Sequence, residues 1–191
     1  MNEVQKIKKE FLEAISILEN KNFERLPKKG DVDSFTLKEL VKIVCLYKTA
    51  SSRISLIEEK LRRINNWTVV KPSEERGDYC TEDGKKYFEL KMSSLNNTIS
   101  ALQIRPWHKV DTYVFIYVDC ENLKIHYFEL PSDKIKELVE GSKSITHGTR
   151  ETTLNNNKNI EYSLHIRLNK SNDKLLNFFM ENSINKGVIN L

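Results

Sequence analysis

Apolar side chains recur along this chain with two different periods, and the switch between them divides it. From residue 3 to about 20, Val4, Ile7, Phe11, Leu12, Ile15 and Leu18 fall three or four apart, the spacing of one helical face. The predicted helix is amphipathic and packs on the domain or on a second subunit. Residues 21–34, with Pro27, Gly30 and two aspartates, read as a loop. Ser34 is then a suitable N-cap for a helix that opens at Phe35-Thr36-Leu37 and runs to about Lys48 through Leu40, Val41, Val44 and Cys45. A third helix over 51–65 repeats the pattern with Ile54, Ile57, Leu61 and Ile64.

Beyond residue 66 the period falls to two. Trp67 to Val70 reads as a first strand, and Pro72 to Arg76 as a link. Lys86 to Lys91 alternates polar and apolar residues, which places Glu89 and Lys91 on one face of a strand. The preceding Glu82-Asp83-Gly84 is a turn signal, so Gly77 to Cys80 folds back as an antiparallel partner carrying Asp78. Leu95, Ile99 and Leu102 return to helical spacing and predict a crossover helix over 93–103, closed by Gln103 to His108. Tyr113 to Val118 is an apolar run suited to a strand buried on both faces at the centre of a sheet. A turn at Cys120-Glu121-Asn122 leads to a strand over 123–130, and Pro131-Ser132-Asp133 opens a helix to Glu140. Ile160 to Leu168 alternates as a last strand, and a helix over 173–182 ends before a short tail. The order of elements predicts an α/β (α+β) chain with a central mixed sheet flanked by helices.

Composition changes this picture little. A chain of 191 residues has room for one well-cored domain: a helical extension over 1–50, a core over 51–140, and a closing part over 141–191. The 39% hydrophobic and 30% charged residues are those of a globular protein, and no apolar run approaches the roughly 20 residues of a membrane span. With no apolar leader near Met1, the expected location is the cytoplasm and no membrane partner is expected. Cys45, Cys80 and Cys120 are widely spaced in apolar segments, which suits reduced core thiols better than a disulfide or a zinc site. The net charge of +4 is modest. Its basic residues cluster, at Lys28-Lys29, Arg53, Lys60 to Arg63, Lys85-Lys86, Arg105 to Lys109 and Lys143 to Arg150, where they either meet a phosphate backbone or are simply solvated.

The hairpin brings two carboxylates and an amine together. An acidic residue, a turn, then acid-x-Lys on the next strand resembles the motif of the PD-(D/E)XK nuclease superfamily, here as Asp78, Glu89 and Lys91. Gly77 stands where that motif often has proline. The resemblance covers about residues 51–140 and implies a restriction-endonuclease-like core. It implies Mg²⁺ held by Asp78, Glu89 and the backbone carbonyl of Leu90. It also gives Lys91 the task of positioning or deprotonating the attacking water. By the same resemblance Gln103 joins the catalytic set, and Arg105 and His108 contact the phosphates beside the scissile bond; the alternative is a helix C-terminus whose cations answer the macrodipole. Glu74 or Glu75 supplies a further carboxylate or belongs to a solvated loop.

The polar stretch 141–159 has the side chains that read base edges. Lys143, Thr146, His147, Thr149, Arg150, Asn155 and Asn157 are the candidate DNA contacts. The expected activity is Mg²⁺-dependent cleavage of double-stranded DNA at a short sequence, similar to type II restriction endonucleases, by a homodimer whose two sites cut both strands. A structure-selective repair nuclease of the same fold is an alternative. So is a non-catalytic nucleic-acid-binding protein in which Glu89 and Lys91 are only an ion pair.

Overall fold

The computed structural model describes residues 3–46, 51–94, 96–140, 161–170 and 173–191. Three helices lead: α1 (Glu3–Asn20), α2 (Leu37–Leu46) and α3 (Ser51–Ile64). The strands and helices that follow are β1 (Thr68–Val69), β2 (Tyr79–Cys80), β3 (Tyr87–Ser93), β4 (Thr98–Ile104), β5 (Thr112–Asp119), β6 (Lys124–Pro131), α4 (Ser132–Glu140), β7 (Tyr162–Arg167), α5 (Lys174–Asn182) and β8 (Asn185–Asn190). Six strands form one mixed sheet in the order β1-β2-β3-β5-β6-β8, with only the β3–β5 pair parallel. β4 and β7 pair with each other as a separate antiparallel ribbon.

Alternation along the central strands makes two cores. On β5, Val114, Ile116 and Val118 face α1–α3, while Tyr113, Phe115 and Tyr117 face a layer built from β4, β7, α4 and α5. The same alternation on β3 turns Phe88, Leu90 and Met92 toward the helical layer. Glu89 and Lys91 therefore point into the opposite layer, as the period-2 pattern requires. The protein is thus a mixed α/β fold with its central sheet flanked by helices, and the helical extension supplies one face of the core.

Four expectations need correction. The predicted crossover helix over 93–103 is the strand β4. Asn96 and Asn97 both adopt left-handed backbone conformations (φ 57° and 49°), which end β3 in a tight turn that no helix can pass through. The chain then alternates, with Ile99 and Ala101 buried and Leu102 exposed. Second, the N-cap of α2 is Thr36, not Ser34: the Glu39 N–H donates to Thr36 Oγ1 (3.2 Å) and the Thr36 N–H donates to Glu39 Oε2 (2.7 Å), a reciprocal capping box. Ser34 ends a preceding 3-10 turn, Lys29–Ser34. Third, Cys45 and Cys120 are joined in a disulfide, with Cα atoms 5.4 Å apart across 75 residues of sequence. The bond ties the end of α2 to the end of β5; Cys80 alone remains a buried free thiol. Fourth, the tail after α5 is β8, which completes the sheet edge against β6. Its only branched apolar residues, Val188 and Ile189, are nearly half exposed, so alternation alone does not reveal it.

Candidate functional site

The site is built on the β2–β3 hairpin. Its turn is closed by the Gly84 N–H donating to the Thr81 carbonyl (2.8 Å), with Gly84 at φ 68°, a conformation glycine adopts without steric cost. The Thr81 hydroxyl donates to Asp83 Oδ1 (2.7 Å) and accepts from the Lys86 N–H (3.2 Å). Register pairs Tyr79 with Phe88 and Cys80 with Tyr87. One residue before the ladder, the Asp78 N–H still donates to the Phe88 carbonyl (3.0 Å), so Asp78 is aligned against β3. Its side chain bends across: Oδ2 accepts the Leu90 N–H at 2.8 Å.

Gly77 explains the departure from proline. Its φ of 84° is closed to proline, whose ring fixes φ near −65°. A Cβ there would also lie 2.6 Å from the Phe88 carbonyl oxygen. The backbone must press flat onto β3 for Asp78 to reach it.

Glu89 is held from two sides. It is 1% exposed, its Oε1 accepts from Lys91 Nζ at 2.8 Å, and its Oε2 meets His108 Nδ1 at 2.9 Å. Burial alone would raise the Glu89 carboxyl, but the Lys91 ammonium and the His108 hydrogen bond outweigh it and hold the group below the usual range. Asp78 goes the other way. Burial and the Glu89 charge raise it, against the Leu90 N–H and Lys91. Two carboxylates with opposed shifts thus share one small volume and one amine.

Sequence pattern alone missed two groups here. Glu58, on α3, accepts the Tyr79 hydroxyl at 2.5 Å, and its charge reaches Asp78. Its position four residues after Ile54, on the flank of the buried stripe, is the signal that locates it. Burial and Glu58 together push the Tyr79 hydroxyl far above its ordinary range. The second group is Tyr113, opposite Glu89 on β5, whose buried hydroxyl donates to the Arg105 carbonyl at 2.7 Å. Glu74 and Glu75 are exposed and add no carboxylate; instead the Glu75 carbonyl accepts the Lys109 N–H at 2.7 Å.

Of the other expected site residues, His108 joins Glu89. Gln103 lies exposed on β4 at a left-handed φ of 55°, where the β4–β7 register shifts. Arg105 is ion-paired with Glu161 at 2.8 Å. His108 is buried, with its Nδ1 on Glu89 Oε2 at 2.9 Å. Lys143, Thr146, His147, Thr149, Arg150, Asn155 and Asn157 fall outside the described residues. Several basic clusters are answered internally: Arg62 and Arg63 both grip Glu59, and Lys86 pairs with Glu129.

Among the described residues no group of three or more His, Cys, Asp and Glu side chains converges as a metal cage. Mg²⁺, however, is usually held by one or two carboxylates with waters and substrate phosphates. Asp78 and Glu89 match that donor set. Burial first and the Glu89 charge second raise the Asp78 carboxyl, and a divalent cation beside the pair would favour the ionised form of both. No described helix is long and apolar enough to cross a membrane. No protein-family model matches the chain, and no curated protein matches it.

Proposed function

We propose that the chain is a Mg²⁺-dependent endonuclease that hydrolyses phosphodiester bonds in double-stranded DNA at a short specific sequence, in the manner of type II restriction endonucleases. The observation that carries this is Asp78, one residue before β2, set within reach of the Glu89 charge on β3, with Lys91 on Glu89 at 2.8 Å. A structural ion pair needs one acid; here a second, half-buried and raised by burial and by the charge of the first, stands beside it while also accepting the Leu90 N–H. The helix-strand-strand-strand order of α3 and β1–β3, followed by the parallel strand β5, supports a restriction-endonuclease-like core in which the usual crossover helix is replaced by β4.

Asp78, Glu89 and the Leu90 carbonyl would hold the metal, which would supply Lewis-acid polarisation of the scissile phosphate and make a nearby water more acidic. Lys91 is a compact cation that orients the attacking water and offsets charge developing on the phosphate oxygens. Base recognition is assigned to residues 141–159, whose Arg, Lys and Asn side chains match the hydrogen-bond pattern of the major groove. A homodimer would place two such sites on a twofold axis and cut both strands, and the cytoplasm is where such DNA is met.

The test is incubation of the protein with long unmethylated duplex DNA, with Mg²⁺ or with EDTA, alongside Glu89→Gln. Discrete fragments that require Mg²⁺ and vanish in the variant are expected. Fragments that persist in Glu89→Gln, or DNA left intact in every lane, would refute the assignment.

A further inference from the structure

His108 has a role that its place in the sequence does not suggest. It follows a strand end and a proline, in the basic run Arg105 to Lys109. The residue is 7% exposed, and its ring meets Glu89 Oε2 at 2.9 Å. An ionised carboxylate only accepts, so the Nδ1 proton is the donor. Among the described residues the other group that holds Glu89 is Lys91, a long flexible amine that cannot fix a carboxylate's orientation alone. His108 can, because the loop carrying it is tied down on every side. The His108 N–H donates to the Arg105 carbonyl (2.9 Å), which also receives the Tyr113 hydroxyl (2.7 Å). The next residue, Lys109, donates to the Glu75 carbonyl (2.7 Å), and the Asp111 N–H donates to the Tyr87 carbonyl (2.8 Å). The Trp107 ring packs edge-on against the imidazole, with centroids 4.4 Å apart.

We propose that His108 is a positioning residue for Glu89: it fixes the carboxylate through Nδ1 so that the remaining lone pairs face Asp78 and a divalent cation. It touches neither metal nor DNA. The proposal rests on the metal assignment above. Hydrogen-bond partners of metal ligands characteristically govern affinity by about 10–100-fold.

The test is calorimetric titration of Mn²⁺ into the full chain without DNA, on wild type, His108→Ala, His108→Asn and His108→Phe. Asparagine keeps an N–H near the Nδ1 position; phenylalanine keeps the packing against Trp107 and removes the donor. Expected are a Kd at least about 10-fold weaker in His108→Ala and His108→Phe, and within about 3-fold of wild type in His108→Asn. Should His108→Ala not fold, His108→Phe against His108→Asn decides the same question. Equal Mn²⁺ affinity in wild type and His108→Phe overturns the proposal, and so does an Asn variant as weak as the Phe variant, since packing would then be the whole effect. Wild type that takes up no Mn²⁺ overturns the metal assignment itself and the positioning role with it.

Discussion

Removing Lys91 should harm the folded protein far more than removing the charge of its partner Glu89. Asp78 and Glu89 together oppose a single ammonium, which is 15% exposed. Lys91→Met leaves a buried and a half-buried carboxylate side by side with no cation, and losing one member of a buried pair costs about 3–5 kcal/mol. Glu89→Gln removes a like charge from Asp78 while leaving Lys91 near Asp78, so its cost falls to about 1–2 kcal/mol, the scale of weakened hydrogen bonds. In urea at pH 7 without divalent metal, with a slope of about 2 kcal/mol per molar, the Lys91→Met midpoint should fall by about 1.5–2.5 M and the Glu89→Gln midpoint by under about 1 M. Mg²⁺ at about ten times its Kd should then restore about 1.4 kcal/mol to wild type and Lys91→Met and none to Glu89→Gln. If Glu89→Gln were as damaging as Lys91→Met, the excess of negative charge inferred at this site would be refuted.

Three further outcomes test other parts of the structure. Glu59, gripped by Arg62 and Arg63 and largely covered, has its pKa lowered from 4.5 to about 2, so its stabilisation is complete above pH 4.5 and lost as pH falls toward 2. Wild type should exceed Glu59→Gln by about 2–3 kcal/mol at pH 7 in urea unfolding, with the gap closing across that window; a gap independent of pH would contradict the assignment. Gly77→Ala should cost about 2–4 kcal/mol and lower the thermal midpoint, because a side chain at φ 84° is strained and its Cβ would overlap the Phe88 backbone; a neutral substitution would contradict it. Reducing the Cys45–Cys120 bond should cost about 2–4 kcal/mol in urea unfolding, given the long chain segment it closes, and alkylation should label two cysteines that are blocked before reduction.

The hairpin, the central strand and the opening helices were legible because each is decided locally. Glu82-Asp83-Gly84 forces a turn, and the alternation from Lys86 to Lys91 fixes which face Glu89 and Lys91 share. β4 was not legible because Ile99 and Leu102 fit a helical stripe as well as a strand, and what excludes the helix is the backbone of Asn96 and Asn97. The disulfide and β8 depend on partners far along the chain. Nothing near Cys45 signals Cys120, and Asn185 to Asn190 extends because β6 offers it a ladder. Asp78, Glu89 and Lys91 could be grouped from spacing, but His108 could not be joined to them. Its contact needs the loop after β4 to fold back under β3, and that path is set by tertiary hydrogen bonds to Glu75 and Tyr87.

The β4–β7 ribbon shares no backbone ladder with the main sheet. Where β3 turns into β4, the link is two hydroxyls: Ser93 Oγ donates to the Thr98 carbonyl (2.9 Å) and accepts the Ser100 N–H (3.3 Å), and the Tyr117 hydroxyl accepts the Asn97 N–H (3.1 Å). The rest of the seam is interdigitated side chains, which a lineage can repack one position at a time without breaking a strand pairing. Divergence should therefore gather on the ribbon side of that seam. The sheet carrying Asp78 and Glu89 is locked by its ladders, whereas the ribbon can change its tilt and its connections as a body, which makes it the natural place for descendants of this protein to differ.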